Sequence, residues 1–156
     1  MPEGSSEVSA RDRLAALKRV DLLSRLSEAE MWELVRAGRW ARLPTETKVV
    51  REGEMGNSLF FLGAGEAKVT KTGKLLGTLE AGACFGEMAY IKDGGLPRQA
   101  TIETTSEVII AEFAPDLLRE TSLNCRLQLT TALLHMMVDR LAIMNERLLR
   151  ATAATK

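Results

Sequence analysis

The chain moves through two hydrophobic periods. Between Ser9 and Ala37 the apolar residues recur at helical spacing: Leu14, Leu17, Val20 and Leu22 or Leu23, then Met31, Leu34 and Val35. Between these groups, Ser27-Glu28-Ala29-Glu30 has the order of a capping box, with Ser27 as N-cap and Glu30 at the reciprocal position. It predicts a helix over residues 28–37, ended by Gly38. After Gly38 the period shortens. Residues 40–43, 48–51, 58–62, 66–71 and 75–79 read as short strands. Turn residues separate them: Pro44, Gly53, Gly56-Asn57, Gly63 with Gly65, Thr72-Gly73 and Gly82. Ala67, Val69 and Lys71 alternate with Lys68 and Thr70, which predicts one buried and one wet face. Residues 101–105 and 107–113 add two more strands. Many short, evenly spaced strands with glycine turns predict a mainly β fold, a barrel or jelly roll with flanking helices.

The helical period returns after Phe113. Residues 115–120 read as a short helix with Pro115 in its first turn. A long helix follows over about 123–150. In it Leu127, Leu134, Leu141 and Leu148 fall seven apart, and Thr130, Met137 and Met144 fill the alternate slot, as in a heptad seam. A second strip, Leu129, Leu133 and Met136, lies on a neighbouring face. Two strips predict two jobs, one against the barrel and one against a partner helix in a homodimer. The plainer alternative is that both strips pack on the same domain.

Length and charge narrow the classes. The 156 residues suit one domain with a real core plus a helical extension. The expected division is a disordered leader over 1–8, helices and barrel over 9–121, a lid or dimerisation helix over 122–150 and a tail over 151–156. Formal net charge is zero, so no general case exists for binding nucleic acid or a membrane surface. No apolar run is long enough to span a membrane, and the polar start, Met1-Pro2-Glu3-Gly4-Ser5-Ser6-Glu7, lacks an apolar signal core. A cytoplasmic location is the expectation. Cys84 and Cys125 lie far apart, with no metal spacing or disulfide framework, and read as small buried side chains. Trp32 and Trp40 read as packing residues, and His135, the single histidine, as a packed or half-exposed side chain. With no nucleophile–base set and no metal cluster, the chain is not expected to be an enzyme or to hold a metal.

The chemistry concentrates between Phe85 and Thr101. Gly86 lets the backbone come close to a ligand. Residues 87–91 can form one helical turn whose free N–H groups attract an anion. A glycine-rich bend, Lys92-Asp93-Gly94-Gly95-Leu96, leads to Pro97 and Arg98, whose planar charged fork suits phosphate oxygens. Glu87 is the odd member, since a carboxylate helps an anion site only by accepting hydrogen bonds from neutral hydroxyls. A phosphate attached to a sugar meets both needs. Taken singly, Glu87 could stabilise a helix start, worth about 0.3–1 kcal/mol, and Arg98 could form a surface ion pair, worth about 0–1 kcal/mol.

Gly86-Glu87-Met88-Ala89 followed by Pro97-Arg98-Gln99-Ala100-Thr101 resembles the phosphate-binding cassette of the cyclic nucleotide-binding domain family. That family includes the bacterial catabolite activator, the regulatory subunit of cAMP-dependent protein kinase and cyclic-nucleotide-gated channels. The resemblance runs from about Val20 into the C-terminal helix. It implies a jelly-roll barrel with N-terminal helices and a long C-terminal helix, and helices that move when ligand binds. By resemblance, Glu87 binds the ribose 2′-hydroxyl and Arg98 the cyclic phosphate. The backbone amides of Gly86, Met88, Ala89 and Ala100 are candidates for the remaining contacts.

The sequence departs from the family pattern in three places. Gln99 stands where the family often has serine, threonine or alanine. A threonine there is associated with the guanine 2-amino group, so its absence leans towards cAMP over cGMP, although the glutamine amide could reach phosphate or base. The bend over 92–96 is longer than in compact cassettes, and either shifts Arg98 or loops into solvent. No aromatic residue follows Phe113, so a lid over the base would use Leu123, Leu127, Leu133 or Arg126. Related folds hold haem or an iron–sulfur cluster, but one histidine and two cysteines support neither, and no cofactor is expected. The implied function is a regulatory module, a cAMP sensor that transmits occupancy through its flanking helices. The alternative is a ligand-free structural or dimerisation module acting through the C-terminal helix. The few residues after Arg150 leave no room for the helix-turn-helix that follows this domain in the transcription factors. The expected output is therefore a partner chain, the dimer itself or an effector domain outside this stretch.

Overall fold

A computed structural model describes residues 7–154. The N-terminal pattern becomes three short helices. α1 (Ala10–Lys18) starts where the Ser9 hydroxyl accepts the Asp12 amide at 3.2 Å. The helical period does not continue through Leu23 as one helix. The backbone becomes extended at Val20, and Asp21–Arg25 is a 3-10 turn, which buries both Leu17 and Leu23 completely. α2 (Glu28–Ala37) has the expected capping box, with Ser27 and Glu30 bonding reciprocally at 3.0 and 3.2 Å. Gly38 ends α2, though not as a left-handed cap. Its backbone is extended, and a Cβ there would meet the Phe113 ring at 2.7 Å. Packing of strand against helix explains this glycine.

The strands form two antiparallel four-stranded sheets. One runs β1 (Arg39–Leu43), β10 (Val108–Phe113), β4 (Leu59–Ala64), β7 (Cys84–Phe85). The other runs β2 (Lys48–Val50), β9 (Thr101–Thr104), β5 (Glu66–Lys71), β6 (Lys74–Glu80). A two-stranded ribbon joins β3 (Met55–Gly56) to β8 (Leu96–Pro97). The non-sequential order is that of a jelly roll. All seven strands expected from the pattern are present. β3, β7 and β8 are each two residues long, too short to show a period, and were not legible.

β4 divides the core. Its side chains alternate between faces. Phe60 and Leu62 join Leu43, Phe85, Ile102 and Ile110 inside the barrel, while Leu59 and Phe61 join Leu17, Leu34, Phe113 and Leu129 under the helices. β4 is therefore almost continuously apolar, because it is covered on both sides. Trp40 and Trp32 pack against the helical core, as expected.

Two short connections bring the chain to its long helix, α4 (Pro115–Leu118) and then α5 (Leu123–Ala154). Glu33 of α2 accepts both the amide and the hydroxyl of Ser122, at 2.7 and 2.9 Å, just before α5 begins. Glu30 accepts the Asn124 amide group at 2.8 Å. Cys125, Leu129, Ala132 and Leu133 are then buried. The expected second strip thus packs on this domain, with Met136 at its edge. The seam residues Leu127, Leu134, Leu141 and Leu148 remain exposed. α5 extends to Ala154, into the expected tail, and residues 155–156 lie outside the described part. Residues 1–6 of the expected leader also lie outside it. Val8, at its end, is buried with Ala16 and Ile109. Among the described residues, no helix is long and apolar enough to cross a membrane.

Candidate functional site

Gly86 turns the chain from β7 into α3 (Glu87–Ile91). Its φ is +80°, a conformation that favours glycine, and a Cβ would lie 2.7 Å from the Ser58 carbonyl. This turn buries Glu87, only 7% exposed, and points it into a cavity of about 230 Å³ on the barrel. The bend over 92–96 does loop outward, with Lys92, Asp93 and Gly94 exposed. Its longer course does not govern Arg98, because the chain returns as β8 and pairs with β3. The Arg98 amide donates to the Glu54 carbonyl, and the Gly53 amide to the Arg98 carbonyl, both at 2.8 Å. The Arg98 side chain then reaches across the cavity wall. Its Nη1 donates to the Ser58 carbonyl at 3.2 Å, and its Cζ lies 5.5 Å from the Phe60 ring centroid. Burial lowers its pKa, with the Glu112 carboxylate opposing the shift, yet an arginine remains protonated at neutral pH.

All seven expected ligand residues line this one cavity: Gly86, Glu87, Met88, Ala89, Arg98, Gln99 and Ala100. Val50, Val69 and Ile102 supply an apolar wall beside them. Gln99 is exposed, and its amide donates back to the Pro97 carbonyl at 3.1 Å.

The four lid candidates are not brought there. Leu123 and Leu127 are 77% and 60% exposed and, like Arg126 and Leu133, line no part of the cavity. Leu133 is in the core under the helices and would have to leave it to reach a ligand. The reason is the clamp at Ser122, which packs the first turns of α5 on α2 and the 3-10 turn. α5 arrives at the cavity only at Arg140, about five turns from its start. Arg140, which sequence reasoning did not select, lines the cavity and forms an ion pair with Glu87. One arginine among those of α5 carries no local signal of this role.

The wall also contains Cys84. Burial, then the Glu87 carboxylate, push its thiol far up, and Arg140 opposes this only in part. The thiol is protonated and unreactive at neutral pH. Both cysteines are free and buried. His135 is exposed and lies 2.9 Å, Nε2 to Nη2, from Arg25. Among the described residues, no group of three or more His, Cys, Asp or Glu side chains could hold a metal ion.

Residues 40–123, more than half of the chain, match the family model for the cyclic nucleotide-binding domain. The chain belongs to the cyclic nucleotide-binding domain family. It is 42% identical over 96 residues to a cAMP-dependent protein kinase regulatory subunit from Debaryomyces hansenii, covering 61% of this chain and 21% of that one. It is 33% identical over 101 residues to a cGMP-dependent protein kinase from Caenorhabditis elegans, covering 60% of this chain and 12% of that one. The chain thus spans about a fifth of the length of the first of these curated relatives and about an eighth of the second. Its fold is shared with a cyclic nucleotide-binding domain from Methylobacillus flagellatus, with a TM-score of 0.73 at 24% identity, over 90% of this chain and 82% of that one.

Proposed function

We infer that this chain is a regulatory cyclic nucleotide sensor, selective for cAMP, in which occupancy of the cavity is passed to α5. The observation that carries this reading is the meeting of Glu87 and Arg98 in one cavity, from two segments separated by the bend. Arg98 takes the cyclic phosphate, with the amides of Gly86, Met88, Ala89 and Ala100 as further donors. Glu87 accepts the ribose 2′-hydroxyl. The charged lining is two guanidinium groups and one carboxylate, a net charge of one positive, which matches a phosphodiester with one negative charge. The apolar wall of Val50, Val69 and Ile102 takes the uncharged faces of the ligand. Gln99 rather than threonine, and kinship with a cAMP-dependent regulatory subunit, favour adenine over guanine.

Transmission runs through Glu87. A carboxylate has two oxygens with room for several donors, and Arg140 bonds to Oε1. Ribose can therefore use the other oxygen while Arg140 stays, so that ligand and α5 are held by the same side chain. The ligand then favours the state in which the distal part of α5 lies against the cavity, a two-state shift. The exposed seam supports homodimerisation along α5, and residue 122, held by Glu33, is taken as the start of the lid or dimerisation helix. The module acts in the cytoplasm and hands its signal to an effector domain or partner. It catalyses no reaction of its own.

Calorimetric titration of the chain with cAMP and cGMP tests the reading. The expected result is low-micromolar or tighter cAMP binding, weaker cGMP binding, and a loss of about 1.5–3 kcal/mol in the Arg98→Ala variant with the fold intact. Unchanged affinity in that variant would mean that the cassette is misassigned. No heat with either nucleotide, from protein shown free of carried-over ligand, would make the ligand-free dimerisation module the better reading.

A further inference from the structure

Most glycines near the cavity are explained by their own backbone. Gly53, Gly86, Gly94 and Gly95 all have φ close to +80°, where other residues are strained. Gly56 differs. Its φ lies outside that region, so its backbone would accept alanine. The three atoms nearest to a Cβ there all belong to the Arg98 guanidinium, Nε at 2.4 Å, Nη2 at 2.5 Å and Cζ at 2.7 Å. The same residue is paired with Leu96 in the ribbon whose next residues anchor the Arg98 backbone. The guanidinium therefore lies between the Phe60 ring, 5.5 Å away, and the bare Cα of Gly56, with Nη1 tied to Ser58.

We propose that Gly56 is a positioning residue for anion recognition: it is glycine so that the Arg98 guanidinium can occupy the slot against Phe60. The fold itself does not require it. The clashing atoms are the free end of a flexible side chain, so an alanine at this position displaces the guanidinium and leaves the ribbon in place. A charged fork works only when held within about 0.5 Å of its productive position, and this displacement exceeds that. Gly56 touches no ligand in this account and acts entirely through Arg98. The proposal rests on the reading of Arg98 as the phosphate-binding group, and its test separates the two.

The test is a double-variant cycle on the whole chain. Gly56→Ala is expected to weaken cAMP at least tenfold where Arg98 is present, and to change it less than twofold in an Arg98→Ala background, where the space is open. An equal loss in both backgrounds, or no loss with Arg98 present, overturns the proposal. The arginine Nε–H signals of the nucleotide-free protein give a second readout. The Arg98 signal, assigned by its disappearance in Arg98→Ala, is expected to shift in Gly56→Ala while the backbone amides of β4 and β9 do not. If the wild type binds no cyclic nucleotide, the sensor reading fails and this signal alone decides: a shift upholds the positioning role, and an unmoved signal overturns it. If Gly56→Ala fails to fold, recovery of the fold in Gly56→Ala/Arg98→Ala upholds the clash as cause, and continued unfolding overturns it.

Discussion

At the start of α5, Cys125, Leu129, Ala132 and Leu133 form a buried face, each at most 2% exposed, whereas no face is covered from Val138 on, where Val138, Leu141, Met144 and Leu148 are 60–66% exposed. The residue types are similar and the helix is unbroken. The difference lies in what surrounds it. The first turns are clamped by Glu30 and Glu33 of α2 and pack on a core shared with β4 and α1. The later turns leave that layer and meet the barrel through Arg140 on Glu87. Hydrophobic burial holds one end, and an ion pair with a 45% exposed arginine holds the other. The near end is structural. The far end has little to lose by moving, and its ion pair to the barrel ends on the carboxylate proposed to bind ligand.

The largest expected contrast is in stability. Leu129→Ala should cost about 2–5 kcal/mol in chemical denaturation, the range for a large side chain removed from a packed core. A cost below about 0.5 kcal/mol would mean that the start of α5 is not packed as described. Next comes assembly. Replacing Leu134 and Leu141 together by lysine should convert a dimer to a monomer in sedimentation velocity, with the barrel's unfolding little changed. A wild type that is already monomeric at high concentration would sink the seam.

A smaller effect is expected at the tie itself. Arg140→Ala should lower global stability by about 1–3 kcal/mol, because it leaves the buried Glu87 carboxylate without its partner. It should also weaken cAMP binding several-fold and speed amide exchange beyond residue 140. If neither binding nor exchange responds, Glu87 does not couple ligand to helix. The smallest effect is a reporter. Burial, then Glu33 and Glu30, push the Cys125 thiol up to about 11. At pH 8 it should react with a thiol reagent only as fast as the start of α5 lifts away, and immediate labelling of the folded protein would contradict that burial. The sign with pH follows. From an ordinary thiol value of about 9 upwards, the unfolded chain releases this proton while the folded chain keeps it. This thiol's contribution to stability therefore falls between about pH 9 and 11 and is intact below.

The sequence by itself determined much of this molecule, because much of it is written in local chemistry. Ser27 and Glu30 are three residues apart and cap a helix wherever one starts. Gly53, Gly65, Gly73 and Gly82 mark turns because the backbone there has positive φ, and the leucines at sevens define a stripe on any helix. The cassette was legible for the same reason: Gly86, Glu87 and Arg98 lie within one short stretch. Tertiary structure decided the rest. β3 and β8, two residues each, exist only as partners of one another. Gly56 reads as turn punctuation until Arg98, distant in sequence, lies against it. Arg140 is 53 residues from Glu87, and nothing in its neighbours distinguishes it from the other arginines of α5. Which leucine of that helix is buried was likewise settled by Glu33 at Ser122, which sets where α5 begins and hence which residue reaches the cavity. Local pattern fixes what each element is, but side-chain contacts between distant elements depend on how those elements are placed, and that information is not local.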